Sequence, residues 1–195
     1  MACPYCYNPD IVLGKGTIST QEALAFLKTR QNLLDGIVLS GGECTLYPDL
    51  AKFCTQIKAL GYKIKIDTNG TNPKLLSQLI EQKLVDYIAL DYKAPLVRYP
   101  TFVAYSHTKN IEESLSLLLL NSIDFEVRTT WHTDLLSIED INEIITHLVQ
   151  KGYTKSYYLQ RYLHVEKTLK STKQEHTKLD LTRLSSALPI ELRNF

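Results

Sequence analysis

Short strand-like runs beginning near residues 36, 63, 86, 125 and 156 alternate with amphipathic segments along most of this chain. This alternation restricts the fold more than any other feature. Strands separated by helix-length connections pair in parallel, and the crossovers between them are right-handed. The strand-like runs are Gly36-Ile-Val-Leu-Ser40, Lys63-Ile-Lys-Ile-Asp67, Asp86–Lys93, Phe125–Trp131 and Ser156–Tyr162. Helices are predicted over Thr20–Gln31, Leu50–Leu60, Pro73–Leu84, Ile111–Leu120 and Ile138–Gln150. Ser19-Thr-Gln-Glu22 is a capping-box pattern, Pro73 suits a first helical turn, and Gly61 supplies a stop. The pattern admits an open doubly wound sheet or a full or partial β/α barrel. It shows no second composition regime, so one domain over residues 1–195 is expected. Val165–Lys178 reads as a polar, solvated segment, and Leu179–Phe195 as room for a last short helix.

Composition excludes several classes of function. With 44% hydrophobic and 22% charged residues in 195, the chain has the make-up of an ordinary globular domain. A net charge of +1 gives no bulk electrostatic attraction to nucleic acid or to a membrane surface. The longest aliphatic run, Leu117–Leu120, is far short of the roughly 20 residues a membrane span requires. The N-terminus lacks a basic-then-apolar signal pattern, and four cysteines at unrelated spacings do not form a secreted disulfide framework. A cytoplasmic protein is the expectation.

In parallel β/α folds the chemistry lies at the carboxyl ends of the strands. Those ends carry Ser40-Gly-Gly-Glu43, Asp67-Thr-Asn69, Asp91-Tyr-Lys93 and Arg128-Thr-Thr-Trp-His132. Gly41-Gly42 lets backbone groups approach a ligand, or simply makes a tight turn. Asp67 and Asp91 end successive strands, although Asp67 before Thr68-Asn69-Gly70 also suits an Asx-turn. Lys93 lies two residues after Asp91, on the same side of an extended chain. That places it to hold an anion or to form an ordinary ion pair. His132 and His164 close later strands and are read as structural. Cys3 and Cys6, at C-x-x-C spacing on the opening loop, suit either a metal centre or a redox pair. Cys54 beside Phe53 is expected to be a buried inert thiol, while Cys44 sits next to the presumed site.

Four motifs in order carry a family resemblance: Cys3-Pro-Tyr-Cys6-Tyr-Asn-Pro9, Ser40-Gly-Gly-Glu43, Ile66-Asp-Thr-Asn-Gly70 and Asp86–Lys93. Together they resemble the radical S-adenosylmethionine (SAM) superfamily, and within it the activating enzymes of glycyl radical enzymes. The resemblance implies a partial (β/α)6-type barrel whose first strand is missing or incomplete. It implies that Cys3 and Cys6 are two of the three thiolates holding a 4Fe–4S cluster. Tyr5 would lie beside the adenine of SAM. Gly41, Gly42, Glu43, Asp67, Asn69, Asp91 and Lys93 would belong to the SAM site, with Asp67, Thr68 and Asp91 at a monovalent-cation site. The implied activity is reductive cleavage of SAM to a 5′-deoxyadenosyl radical, which makes a glycyl radical on a partner enzyme. The implied partner is a glycyl radical enzyme, foremost anaerobic ribonucleoside-triphosphate reductase. A flavodoxin- or ferredoxin-type protein would donate the electron.

Two departures accompany the resemblance. The motif's first cysteine belongs four residues before Cys3, and Cys44 stands where the family often has proline after its GGE. An N-terminally truncated sequence or a cluster-less protein that binds SAM or a partner would each explain the first, and Cys44 is a speculative substitute ligand. The rival reading of Cys3-Pro-Tyr-Cys6 is a glutaredoxin-type dithiol. It would need a strand before the motif and a much shorter chain.

Overall fold

In a computed structural model of the chain, residues 11, 14, 16–102, 108–163 and 180–195 are described below. Six strands lie among the described residues: β1 (Gly36–Leu39), β2 (Lys63–Thr68), β3 (Tyr87–Asp91), β4 (Asp124–Trp131), β5 (Tyr157–Arg161) and β6 (Ile190–Arg193). The longer helices are α1 (Thr20–Lys28), α2 (Leu50–Ala59), α3 (Pro73–Glu81), α4 (Thr108–Leu120) and α5 (Ile138–Gln150). The sheet order is β1-β2-β3-β4-β5-β6. The pairs β1–β2, β4–β5 and β5–β6 are parallel. Strictly sequential order belongs to a singly wound β/α fold of the partial-barrel type. It excludes the doubly wound alternative, whose order reverses at a switch point.

The chain divides into two compact units, one of Asp10–Ala89 with Lys109–Phe125 and one that includes Leu90–Thr108 and Glu126–Phe195. In the first, the Ser19 hydroxyl accepts from the Glu22 N–H at 3.2 Å and Glu22 accepts from the Ser19 N–H at 2.8 Å, starting α1 with the expected capping box. The buried Tyr62 hydroxyl donates to the Leu27 carbonyl at 2.7 Å, tying the end of α1 to the approach of β2. Gly61, at φ +89°, lets the chain turn out of α2 without the strain a side chain would bring there. Ile64 and Ile66 of β2 are fully buried, as are Ile57, Leu76, Leu79, Leu115 and Leu118 of the helices. Each such side chain contributes about 1.5–3 kcal/mol through burial.

In the second unit, a capping box of Ser137 and Asp140 starts α5. Its Ile141, Ile144, Ile145 and Leu148 are buried, as are Val127, Trp131, Tyr157 and Leu159 on the strands. Arg98, in the loop after β3, pairs with Asp140 and donates to the Leu135 carbonyl at 3.1 Å, fastening that loop at the start of α5.

Helix ends differ from the sequence reading by a few residues, because the last turns of α1 and α3 give way to turns. One element differs in kind. The expected last helix is instead a 3-10 turn at Leu181–Arg183 followed by β6. Pro189 explains the change: it lacks an N–H and suits the start of a strand, and its carbonyl accepts from the Tyr157 N–H at 2.8 Å. Ile190 through Arg193 then alternate apolar and charged residues along β5. The polar segment 165–178, His164 and the opening loop lie outside the described residues.

Candidate functional site

The loop after β1 begins at Gly41, whose φ of +131° lies in the region that favours glycine. It leads through Gly42 into Glu43, which caps the 3-10 turn Cys44–Leu46. The Glu43 carboxylate does more than cap. One oxygen accepts from the Thr45 N–H at 3.1 Å, the Thr45 hydroxyl at 2.6 Å and the Thr68 hydroxyl at 2.8 Å. The other accepts from the Asn69 N–H at 2.7 Å. The glutamate of the GGE stretch is therefore the clamp between the carboxyl ends of β1 and β2.

The turn after β2 is held from several sides. Thr68 accepts from the Gly70 N–H at 3.1 Å, and Asn69 from the Thr71 N–H at 3.0 Å. Thr68 and Asn69 thus supply side-chain turn bonds of the kind considered for Asp67. Asn72 caps α3 through the Leu75 N–H and also donates to the Thr45 carbonyl at 2.7 Å. From α4, Asn110 donates to the Thr71 carbonyl at 2.9 Å and Ser114 to the Gly70 carbonyl at 2.8 Å. The bonds leave little conformational freedom between residues 68 and 72.

Asp67, on the strand itself, lies 3.5 Å from the Lys65 ammonium, and its backbone carbonyl accepts from the Cys44 thiol at 3.4 Å. Burial, with the charges of Glu43 and Asp67 nearby, pushes the Cys44 thiol up to about 12. Those surroundings favour the protonated thiol. Cys54 is fully buried and pushed up to about 11, as expected of an inert core thiol. Among the described residues, no group of three or more His, Cys, Asp or Glu side chains could hold a metal ion.

In the second unit, the Asp91 carboxylate at the end of β3 receives two cationic donors. Lys93 donates at 2.9 Å and the Arg128 Nε at 2.5 Å, to opposite oxygens. Side-chain exposures of 22%, 14% and 17% for Asp91, Lys93 and Arg128 set the cluster apart from an exposed ion pair. Burial by itself would raise the Asp91 carboxyl, but the Lys93 and Arg128 charges overcome it and hold the carboxyl below its ordinary value. The Lys93 N–H donates to the Tyr99 hydroxyl at 2.7 Å, fixing the backbone where the lysine leaves the strand.

The sequence reading set Arg128 among the strand-end polar residues without giving it a role. The signal for one was the two-residue period Glu126-Val-Arg128, which puts both charges on one face of β4. Glu126 is 3% exposed and is gripped by both terminal nitrogens of Arg193, at 3.0 and 2.8 Å. His132 is buried, accepts from the Asp134 N–H at 3.2 Å and packs 4.7 Å from the Tyr162 ring, a structural arrangement. Cys3, Tyr5 and Cys6 fall outside the described residues.

In one unit the Gly41-Gly42 backbone is exposed, which leaves its N–H and C=O groups open to a polar ligand. In the other, Lys93 and Arg128 are cations of the kind that receive a carboxylate. The cysteines expected at a cluster lie outside the described residues.

Residues 1–120 match the family model of the Radical SAM superfamily. A Methanocaldococcus jannaschii protein, provisionally named as a glycyl-radical enzyme activating enzyme, is 37% identical over 150 residues, covering 74% of this chain and 62% of the relative. An S-adenosylmethionine-dependent nucleotide dehydratase of Selenomonas ruminantium is 28% identical over 155 residues, covering 75% of this chain and 53% of that one. The chain therefore spans between half and two thirds of the length of these two relatives. Among solved structures, SuiB of Streptococcus suis has a TM-score of 0.68 at 15% identity, covering 99% of this chain and 46% of that one, a likeness of fold. The superfamily's cofactors are a 4Fe–4S cluster and SAM, and this chain, by its motifs, its strand order and the extent of the match, belongs to the radical SAM superfamily.

Proposed function

We propose that the chain is the SAM-binding β/α domain of an activating enzyme, one that generates a glycyl radical on a partner protein. The observation that carries the reading is the Asp91–Lys93–Arg128 cluster, a set of cations held in place at a strand end where SAM's carboxylate needs a donor. The GGE loop and the Asp67–Asn69 turn, joined by Glu43, support it as a fixed backbone frame for the rest of SAM. In this reading Cys3 and Cys6 hold the 4Fe–4S cluster and Tyr5 borders the adenine. Gly41, Gly42, Glu43, Asp67, Asn69, Asp91 and Lys93 form or support the SAM site, and Asp67, Thr68 and Asp91 border a monovalent cation.

The bound cofactors supply one-electron cleavage of the sulfonium's carbon–sulfur bond. The protein's part is to orient SAM and to keep the donors from reorganising when it binds. Similarity to a named glycyl-radical activator supports a glycyl radical enzyme as the partner. Anaerobic ribonucleoside-triphosphate reductase is the candidate to try first, with a flavodoxin or ferredoxin as reductant and the cytoplasm as the setting. We take the two units to act as one domain.

The test is anaerobic reconstitution with iron and sulfide, followed by absorbance and EPR spectra and a SAM-cleavage assay under dithionite. Cluster absorbance with 5′-deoxyadenosine production is the expected result. A colourless protein with a titratable dithiol and no SAM cleavage would overturn the reading. Adding a candidate glycyl radical enzyme and recording its radical EPR signal then tests the partner.

A further inference from the structure

We infer that Arg193, on the last strand, is a positioning residue for the Asp91–Lys93 pair and acts through Glu126 and Arg128. The inference rests on the reading of that pair as part of the SAM site. Five charged groups form a chain: Lys93 on Asp91 at 2.9 Å, Arg128 on Asp91 at 2.5 Å, Arg128 reaching Glu126 at 4.0 Å, and Arg193 gripping Glu126 with both terminal nitrogens. Two carboxylates thus compete for Arg128. Asp91 holds it by a short charge-assisted hydrogen bond, and Glu126 touches it only at the limit of an ion pair.

Arg193 decides that competition. Glu126 is 3% exposed, and a buried carboxylate without a partner is strongly disfavoured. Arg193 supplies a bidentate partner, the strongest geometry for a carboxylate. Its guanidinium lies 3.9 Å from the Tyr158 ring centroid, a cation–π contact that helps to hold the arginine in place. Glu126 then makes little demand on Arg128, whose Nε stays on Asp91. Take Arg193 away, and Arg128, already 4.0 Å from Glu126, is a cation that this carboxylate can recruit. Its departure from Asp91 leaves Lys93 as that carboxylate's counter-charge, and the lysine becomes less available to an incoming anion. No local sequence pattern foreshadows the arrangement, since Arg193 and Glu126 stand 67 residues apart.

The experiment follows the Arg128 Nε–H resonance in the full chain by NMR, alongside SAM affinity by calorimetry on the reconstituted protein. In R193A the resonance shifts and its protection from solvent exchange falls, and SAM binds about tenfold more weakly, the scale of one lost charge-assisted contact. In R193A/E126Q the resonance returns, because a neutral side chain at 126 no longer recruits Arg128, and SAM affinity recovers with it. R193K keeps the charge without the fork and falls between. Should R193A not fold, R193K and the double variant carry the same comparison. An unmoved Arg128 resonance in folded R193A, or SAM affinity unchanged despite a moved one, overturns the inference. A wild-type protein that binds no SAM, with the Arg128 resonance still responding to R193A, overturns the SAM reading and not the linkage.

Discussion

Glu43 shows how much one side chain can carry. Its carboxylate accepts four hydrogen bonds, two from Thr45 and one each from Thr68 and Asn69. Gln at this position offers an N–H2 group where an acceptor is required. E43Q should lower stability by about 1.5–3 kcal/mol, the range for hydrogen bonds to charged groups, measured by urea denaturation. SAM affinity should fall with it if the two loops must keep their spacing. Asp91 has a different signature. Its folded-state carboxyl is held below the ordinary value, so its network stabilises the fold fully above the unfolded value of about 3.9. That contribution is lost as pH falls through the lower, folded value. In acid titrations wild type should therefore lose stability below about pH 4 relative to D91N, and their difference should flatten toward neutrality. Cys44 is testable by thiol chemistry: with its thiol raised to about 12, iodoacetamide at neutral pH should label it far more slowly than a free cysteine.

At the scale of elements, α5 joins sequence-encoded capping to a tertiary latch. Ser137 and Asp140 start the helix reciprocally, and Arg98 from the loop after β3 lands on the same Asp140. S137A should cost about 1 kcal/mol through the lost cap, read from thermal or urea unfolding. The amphipathic pattern was plain in the sequence, and α5 has the bounds expected from it. The arrival of Arg98 was not, because nothing local marks a partner 42 residues away. The last strand makes the complementary point. Four residues of alternating character after Pro189 are too short a run to tell from loop or helix, and only the open edge of β5 makes them a strand.

For the molecule as a whole, the two compact units do not correspond to separate runs of sequence. β3 and β4 each cross the division, between Ala89 and Leu90 and between Phe125 and Glu126. One cooperative transition is the outcome that the proposal of a single domain requires. The chain's single tryptophan, Trp131, is 1% exposed and reports on the second unit, whereas far-UV circular dichroism reports on both. Coincident denaturation curves from the two probes are the expected outcome, and separated midpoints would show two independent domains. No described helix is long and apolar enough to cross a membrane.

Local physics in the sequence settled the order of strands and helices along the chain, the helix starts at Thr20, Pro73 and Ile138, and the placing of polar residues after each strand. These follow from periodicity, capping and turn chemistry acting over a few residues, so the chain carries them whatever it packs against. Strand order and side-chain partnership came from elsewhere. Glu43 reaches Thr68 across 25 residues, Asp91 reaches Arg128 across 37 and Glu126 reaches Arg193 across 67. Such pairs depend on which strands become neighbours and on which face each side chain emerges. Packing of the whole sheet fixes both, and it turned a row of polar strand ends into two braced clusters of charge.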